Sequence, residues 1–91
     1  MLPIEWSDEA QFDLVEIQSY IEQFSPQDAL ALRKVIEAGV ECLPQIPFAF
    51  RHGRVAGTRE YVAHPNYIVV YRVTASAIEV LRVLHARREY P

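Results

Sequence analysis

Three strand-forming runs follow one another near the C-terminal end with almost no chain between them. Residues 58–63, 67–73 and 77–84 are rich in Val, Ile, Tyr and Leu, and only His64-Pro65-Asn66 and Thr74-Ala75-Ser76 connect them. A parallel crossover needs a dozen or more residues, so strands joined this tightly must pair antiparallel. Such a chain has to build a meander here.

Upstream the period changes. Leu2 to Trp6 reads as a short opening strand, with Glu5 between apolar neighbours. Ser7 or Asp8 then caps a helix, and Asp8-x-x-Gln11 has capping-box spacing. Ala10, Leu14, Ile17, Ile21 and Phe24 recur at three and four residues and predict one buried face. Ser25-Pro26 ends that helix and opens the next, Ser25 as N-cap and Pro26 at the first helical position. A second stripe, Ala29, Leu32, Ile36, Val40 and Leu43, runs up to Pro44. With so short a connection the helices fold back as an antiparallel hairpin. Residues 44–55, with Pro44, Pro47 and Gly53, read as irregular. The order is β-α-α-β-β-β: an α+β fold with a helical hairpin on one face of a small, mainly antiparallel sheet. The pairing of the first strand does not follow from sequence.

At 91 residues the chain fits one domain, residues 1–91, whose core is marginal alone. A lone Cys42 forbids an internal disulfide and fits a reducing cytoplasm, with the thiol expected in the core. The N-terminus lacks a basic segment leading into an apolar run, so no signal peptide is expected. No stretch approaches a membrane span, and no membrane partner is expected. Scattered histidines and one cysteine offer no metal-ligand spacing, and no cofactor is expected.

Charge divides the chain. Residues 1–41 carry a net −7, whereas residues 42–91 carry +4, all of the positive charge there from arginine. His52, His64 and His85 lie in the basic half. Alternation puts Ile68, Val70 and Arg72 on one face and Tyr67, Val69, Tyr71 and Val73 on the other. In the last strand Ile78, Val80, Arg82 and Leu84 oppose Glu79, Leu81, Val83 and His85. A two-residue turn at Ala75-Ser76 would set Arg72 across from Glu79 as an ion pair. Arginines among β-branched residues mean either cross-strand pairs, Arg72 and Arg82 with Glu79 and Glu60, or an open face that meets a partner.

The strand His64-Pro65-Asn66-Tyr67-Ile68-Val69-Val70-Tyr71-Arg72-Val73, followed by Glu79-Val80-Leu81-Arg82-Val83-Leu84-His85-Ala86-Arg87-Arg88, resembles the RelE/ParE superfamily of bacterial toxins. The likeness covers essentially the whole chain and is nearest the ParE branch, whose members share the His-Ala-Arg-Arg type of tail. It implies the toxin of a type II toxin–antitoxin system. RelE-like members cut mRNA on the ribosome, whereas ParE-like members poison DNA gyrase with no known catalytic step. Both are neutralised by an antitoxin from the same operon, expected to wrap the toxin with a disordered tail that folds on binding.

Three departures from the nuclease pattern favour the ParE branch. Ile68 stands where such nucleases carry an arginine, and an aliphatic chain cannot stabilise a phosphorane. Ala86 stands at a second usually basic position. A pI near 5.5 suits poorly a protein that must enter the phosphate field of the ribosome. The expected activity is therefore binding to gyrase, with no sequence-specific nucleic-acid contact. Candidate residues for target or antitoxin contact are Arg59, Arg72, Arg82, His85, Arg87, Arg88 and Tyr90, while Phe12, Val15, Tyr20 and Leu30 on the helices are candidates for holding antitoxin. The alternatives are a ribosome-dependent endonuclease using His85, Arg87 and Tyr90, and an inert relic that only binds antitoxin.

Overall fold

The computed structural model describes residues 1–87. Strand β1 (Ile4–Trp6) leads into helix α1 (Asp8–Glu22) and helix α2 (Pro26–Cys42), and a 3-10 turn at Leu43–Gln45 follows. Then come β2 (Arg51–His52), β3 (Arg59–His64), β4 (Tyr67–Val73) and β5 (Ile78–His85). The strands form one sheet in the order β1-β5-β4-β3-β2, antiparallel except where the edge strand β1 runs parallel to β5. The β-α-α-β-β-β order holds. The segment expected to be irregular adds the two-residue β2 on the edge of β3. Two ladder residues carry too little pattern to be read from a sequence.

The helix ends are chemical. Ser7 accepts the Ala10 N–H at 3.0 Å and Ser25 accepts the Asp28 N–H at 3.2 Å, each satisfying a donor the helix leaves orphaned. Both helices lie on one face of the sheet. Ala10, Leu14, Ile36, Val40 and Leu43 pack against Val69, Tyr71, Ile78, Val80 and Val83, each large aliphatic worth about 1.5–3 kcal/mol when buried. Phe24 departs from the expected stripe. It is exposed at the end of the hairpin, with its ring edge-on to Tyr20 at 5.4 Å, because α1 has already ended at Glu22. Cys42 is likewise exposed, contrary to expectation: the core positions of α2 are Ile36 and Val40, and Leu43 takes the next inward place.

Tyr71 is fully buried and donates its hydroxyl to the Pro47 carbonyl at 2.7 Å, tying the 44–50 segment to the sheet. Burial pushes its phenol above the ordinary value, an effect that the Arg59 charge partly offsets. Gly39 of α2 has a packing role. A Cβ there would stand 2.5 Å from the Tyr61 ring, which itself meets Phe50 edge-on at 4.8 Å. Gly39→Ala gains up to about 1 kcal/mol of helix propensity. Displacing a packed ring costs roughly 1–3 kcal/mol, so the variant is expected to lose about 1 kcal/mol net in urea unfolding. Unchanged or higher stability would mean that Tyr61 swings away freely.

The free edge of β5 is closed by α1. Strand β1 covers it only from Ile78 to Val80. Beyond that point Ser7 donates its N–H to the Val80 carbonyl at 2.9 Å and its hydroxyl to the Leu81 carbonyl at 2.8 Å. Asp13 then accepts the Val83 N–H at 2.9 Å. An edge that would otherwise offer unpaired backbone is thus capped from within the chain.

Candidate functional site

The strict alternation expected along β5 breaks in its middle. The ladder shifts between Val70 and Tyr71, which pair with Arg82 and Val80 respectively, so Leu81 is an extra residue. Ile78 and Val80 face the helices, but past the bulge Val83 does so instead. Arg82 and Leu84 therefore lie opposite Ile78 and Val80 rather than beside them. A bulge leaves no mark in a run of apolar and β-branched residues, so the sequence could not reveal it.

On the sheet face away from the helices, Ile68, Val70 and Leu84 form a small buried apolar cluster with Ala86 packed against it. Ion pairs surround it. Arg72 grips one carboxylate oxygen of Glu79 with Nε at 2.9 Å and a terminal nitrogen at 2.7 Å, in the register expected for a two-residue turn. Arg51 donates to Glu60 at 2.8 Å, and Glu60 is buried. Glu60 is thus taken by Arg51 and not by Arg82, as sequence reading had it.

Arg82 forms a two-point pair with Asp13, Nε to Oδ2 at 2.7 Å and a terminal nitrogen to Oδ1 at 3.0 Å. The Asp13 hydrogen bond holds the guanidinium above the ordinary arginine value against its partial desolvation, and the charges of Asp13, Glu9 and Glu16 add to that effect. Asp13 was one of nine acids in an acidic stretch, and nothing in its spacing marked it. Its role exists only because α1 crosses the β5 edge there.

The structure disperses the cationic candidates. Arg59 donates to the Phe50 carbonyl at 2.8 Å and the Phe48 carbonyl at 3.3 Å, and its guanidinium lies 5.1 Å from the centre of the Phe48 ring. It organises the 48–50 segment. Arg72 lies on the open face, and Arg82 of β5 is paired with Asp13 of α1. His85 and Arg87, by contrast, come together in a groove of roughly 760 Å³ between α1 and the end of β5, which Glu16, Tyr20 and Tyr67 also line. Arg88 and Tyr90 lie outside the described residues. Tyr67 sits between two imidazoles, with ring centres 5.9 Å from His64 and 5.4 Å from His85. Each imidazole accepts a backbone N–H through Nδ1, His64 from Asn66 at 3.1 Å and His85 from Arg87 at 3.2 Å. His64 is thus the last residue of β3, and its side chain holds the Pro65-Asn66 turn. Burial raises the Tyr67 phenol above its ordinary value, and Tyr20 across the groove adds to this. Of the four helix residues expected to meet antitoxin, all are exposed, but only Tyr20 lines the groove.

A helical hairpin on one face of a five-stranded, mostly antiparallel sheet defines the RelE/ParE-like class of small α+β toxins. The chain belongs to the family of ParE toxins of type II toxin–antitoxin systems, whose model matches residues 4–90. It is 37% identical over 89 residues to Y4kP of Sinorhizobium fredii, covering 97% of this chain and 92% of that one. It is 32% identical over 90 residues to toxin RelE2 of Caulobacter vibrioides, covering 97% and 99%. Among solved structures it is similar to a chain of the chromosomal ParDE system from P. aeruginosa, with a TM-score of 0.84, 27% identity, and 93% and 96% of the two chains covered. The E. coli DinJ–YafQ complex shares the fold at a TM-score of 0.63 and 14% identity, over 93% of each chain.

Proposed function

We propose that this protein is a cytoplasmic toxin that arrests growth by binding DNA gyrase without a catalytic step, and that a cognate antitoxin neutralises it. The observation that carries this reading is the apolar centre of the open sheet face. Ile68, Val70, Leu84 and Ala86 occupy ground where a phosphate-cleaving site needs cations and a proton carrier. The arginines at its rim are engaged by Glu79 and Asp13, so recruiting them to phosphate would break existing pairs. Membership of the ParE family supports gyrase as the target. The ParDE likeness supports an antitoxin, one expected to fold a disordered segment onto the toxin.

The nuclease reading draws on a different observation, the meeting of His85 and Arg87 in one groove. A supercoiling and cleavage assay with purified gyrase separates the two. Lost supercoiling or accumulated cleaved DNA, reversed by the antitoxin, is the expected result. Unaffected gyrase together with mRNA cleavage on translating ribosomes, abolished by His85→Ala, would replace it with the nuclease reading. Unimpaired growth on expression without antitoxin would leave only an antitoxin-binding relic.

A further inference from the structure

The groove between α1 and β5 has a polarity that the gyrase reading does not use. Glu9, Asp13, Glu16 and Tyr20 stand at helical spacings of four, three and four residues, so they share the side of α1 that faces β5. Helix α1 contains five acids and no basic residue. Asp13 is neutralised by Arg82 and the Val83 N–H. Among the described residues Glu9 and Glu16 make no ion pair, yet both lie near enough to act on the Arg82 charge. Glu16 is exposed on one wall of the groove. Two phenols flank the space beside it: Tyr20, largely exposed, and Tyr67, mostly buried between His64 and His85. The apolar floor is Ile17, Ile21 and Val83. Arg87, two residues past His85, also lines the groove.

A carboxylate with no ion pair among the described residues, beside two electron-rich rings and over an aliphatic floor, complements a long side chain that ends in a cation. The stem covers the floor, the charge meets the carboxylate, and the ring faces attract the cation. We propose that this groove seats an Arg or Lys side chain from the antitoxin segment, paired with Glu16 and enclosed by Tyr20, Tyr67 and His85. The inference rests on the antitoxin reading and deepens it by naming what the segment presents. Within the groove Arg87 repels a cation and Glu16 attracts it, which favours the α1 wall as its seat. The segment is therefore amphipathic, with apolar residues beside the basic anchor.

The test is the affinity of the full-length toxin for the antitoxin encoded beside its gene, measured by calorimetry. Glu16→Arg is expected to weaken binding by tenfold or more and Tyr20→Ala by several-fold. Replacing one basic residue of the antitoxin segment by Glu should restore the affinity of Glu16→Arg. Glu41→Arg, on an exposed site of α2, should leave affinity unchanged. Both glutamates are exposed, so matching melting temperatures are expected and separate binding from folding. Wild-type affinity in Glu16→Arg, or tighter binding there together with loss in Arg87→Glu, would overturn the cationic anchor and assign the groove to an acidic segment. No binding by the unaltered toxin would instead overturn the antitoxin reading itself, and this inference with it.

Discussion

Asp13→Ala is expected to cost about 2–3 kcal/mol of folding stability, and to lower the melting temperature by roughly 10–15 °C in a domain of this size. The effect is large because one carboxylate performs three tasks. It satisfies the Val83 N–H on an edge that β1 does not reach, and it takes both reachable nitrogens of Arg82. It also joins the middle of α1 to the end of β5, a link across 69 residues of chain. Alanine leaves a backbone donor unpaired and a guanidinium without its anion, and losing one partner of such a pair costs more than the pair is worth. The Asp13 side chain is only 11% exposed, whereas Arg82 is 42% exposed. The charge pair is therefore partly screened, and much of the loss should come from the backbone bond. Asp13→Asn, which still offers an oxygen to Val83, is expected to lose about half as much in the same melting experiment. Equal losses in the two variants would show the ion pair to be dominant. No loss in either would remove the edge lock from this account.

Removal of residues 87–91 is expected to abolish growth inhibition while shifting the melting temperature by no more than about 2 °C. A cut before His85 is less clean. His85 is the last residue of β5 and pairs with Tyr67, and the Ala86 N–H donates to the Asn66 carbonyl at 2.7 Å. Among the described residues the backbone–backbone bonds therefore run as far as Ala86. Cutting before His85 strips the Tyr67 ring of one neighbour and opens the groove, so lost activity there could reflect damage to the fold. Cutting after Ala86 removes Arg87 and the cationic, aromatic end, and breaks no ladder bond among the described residues. Plating of cells that express the shortened toxin without antitoxin reads the outcome. Full growth inhibition would exclude the tail as the effector and move attention to the sheet face and the groove.

How much of this was legible varied with the kind of signal. The Ser25-Pro26 junction and the meander follow from local chemistry, which is written in a few adjacent residues. The first cap was narrowed only to Ser7 or Asp8, and Ser7 takes it rather than the Asp8 of the Asp8-x-x-Gln11 spacing. The Arg72–Glu79 pair was legible because a tight turn sets its register within eight residues. Arg82 was assigned the wrong partner. Alternation placed it on a sheet face, and only the bulge at Leu81 together with the passage of α1 brought Asp13 to it. Phe24 matched the helical period but fell beyond the helix end, where a period no longer dictates direction.

The sequence by itself determined the order of elements apart from the short β2, the antiparallel hairpins joining β3, β4 and β5, and the division into an acidic helical half and an arginine-rich sheet. Each of these depends on spacing along the chain. The tertiary structure alone decided that β1 joins β5 in parallel, that Asp13 closes the edge beyond it, and that Glu16, Tyr20, Tyr67 and His85 share a groove. Those residues are drawn from α1, β4 and β5, up to 69 positions apart. No local pattern encodes which distant segments meet, because that choice is made by the burial of one shared core.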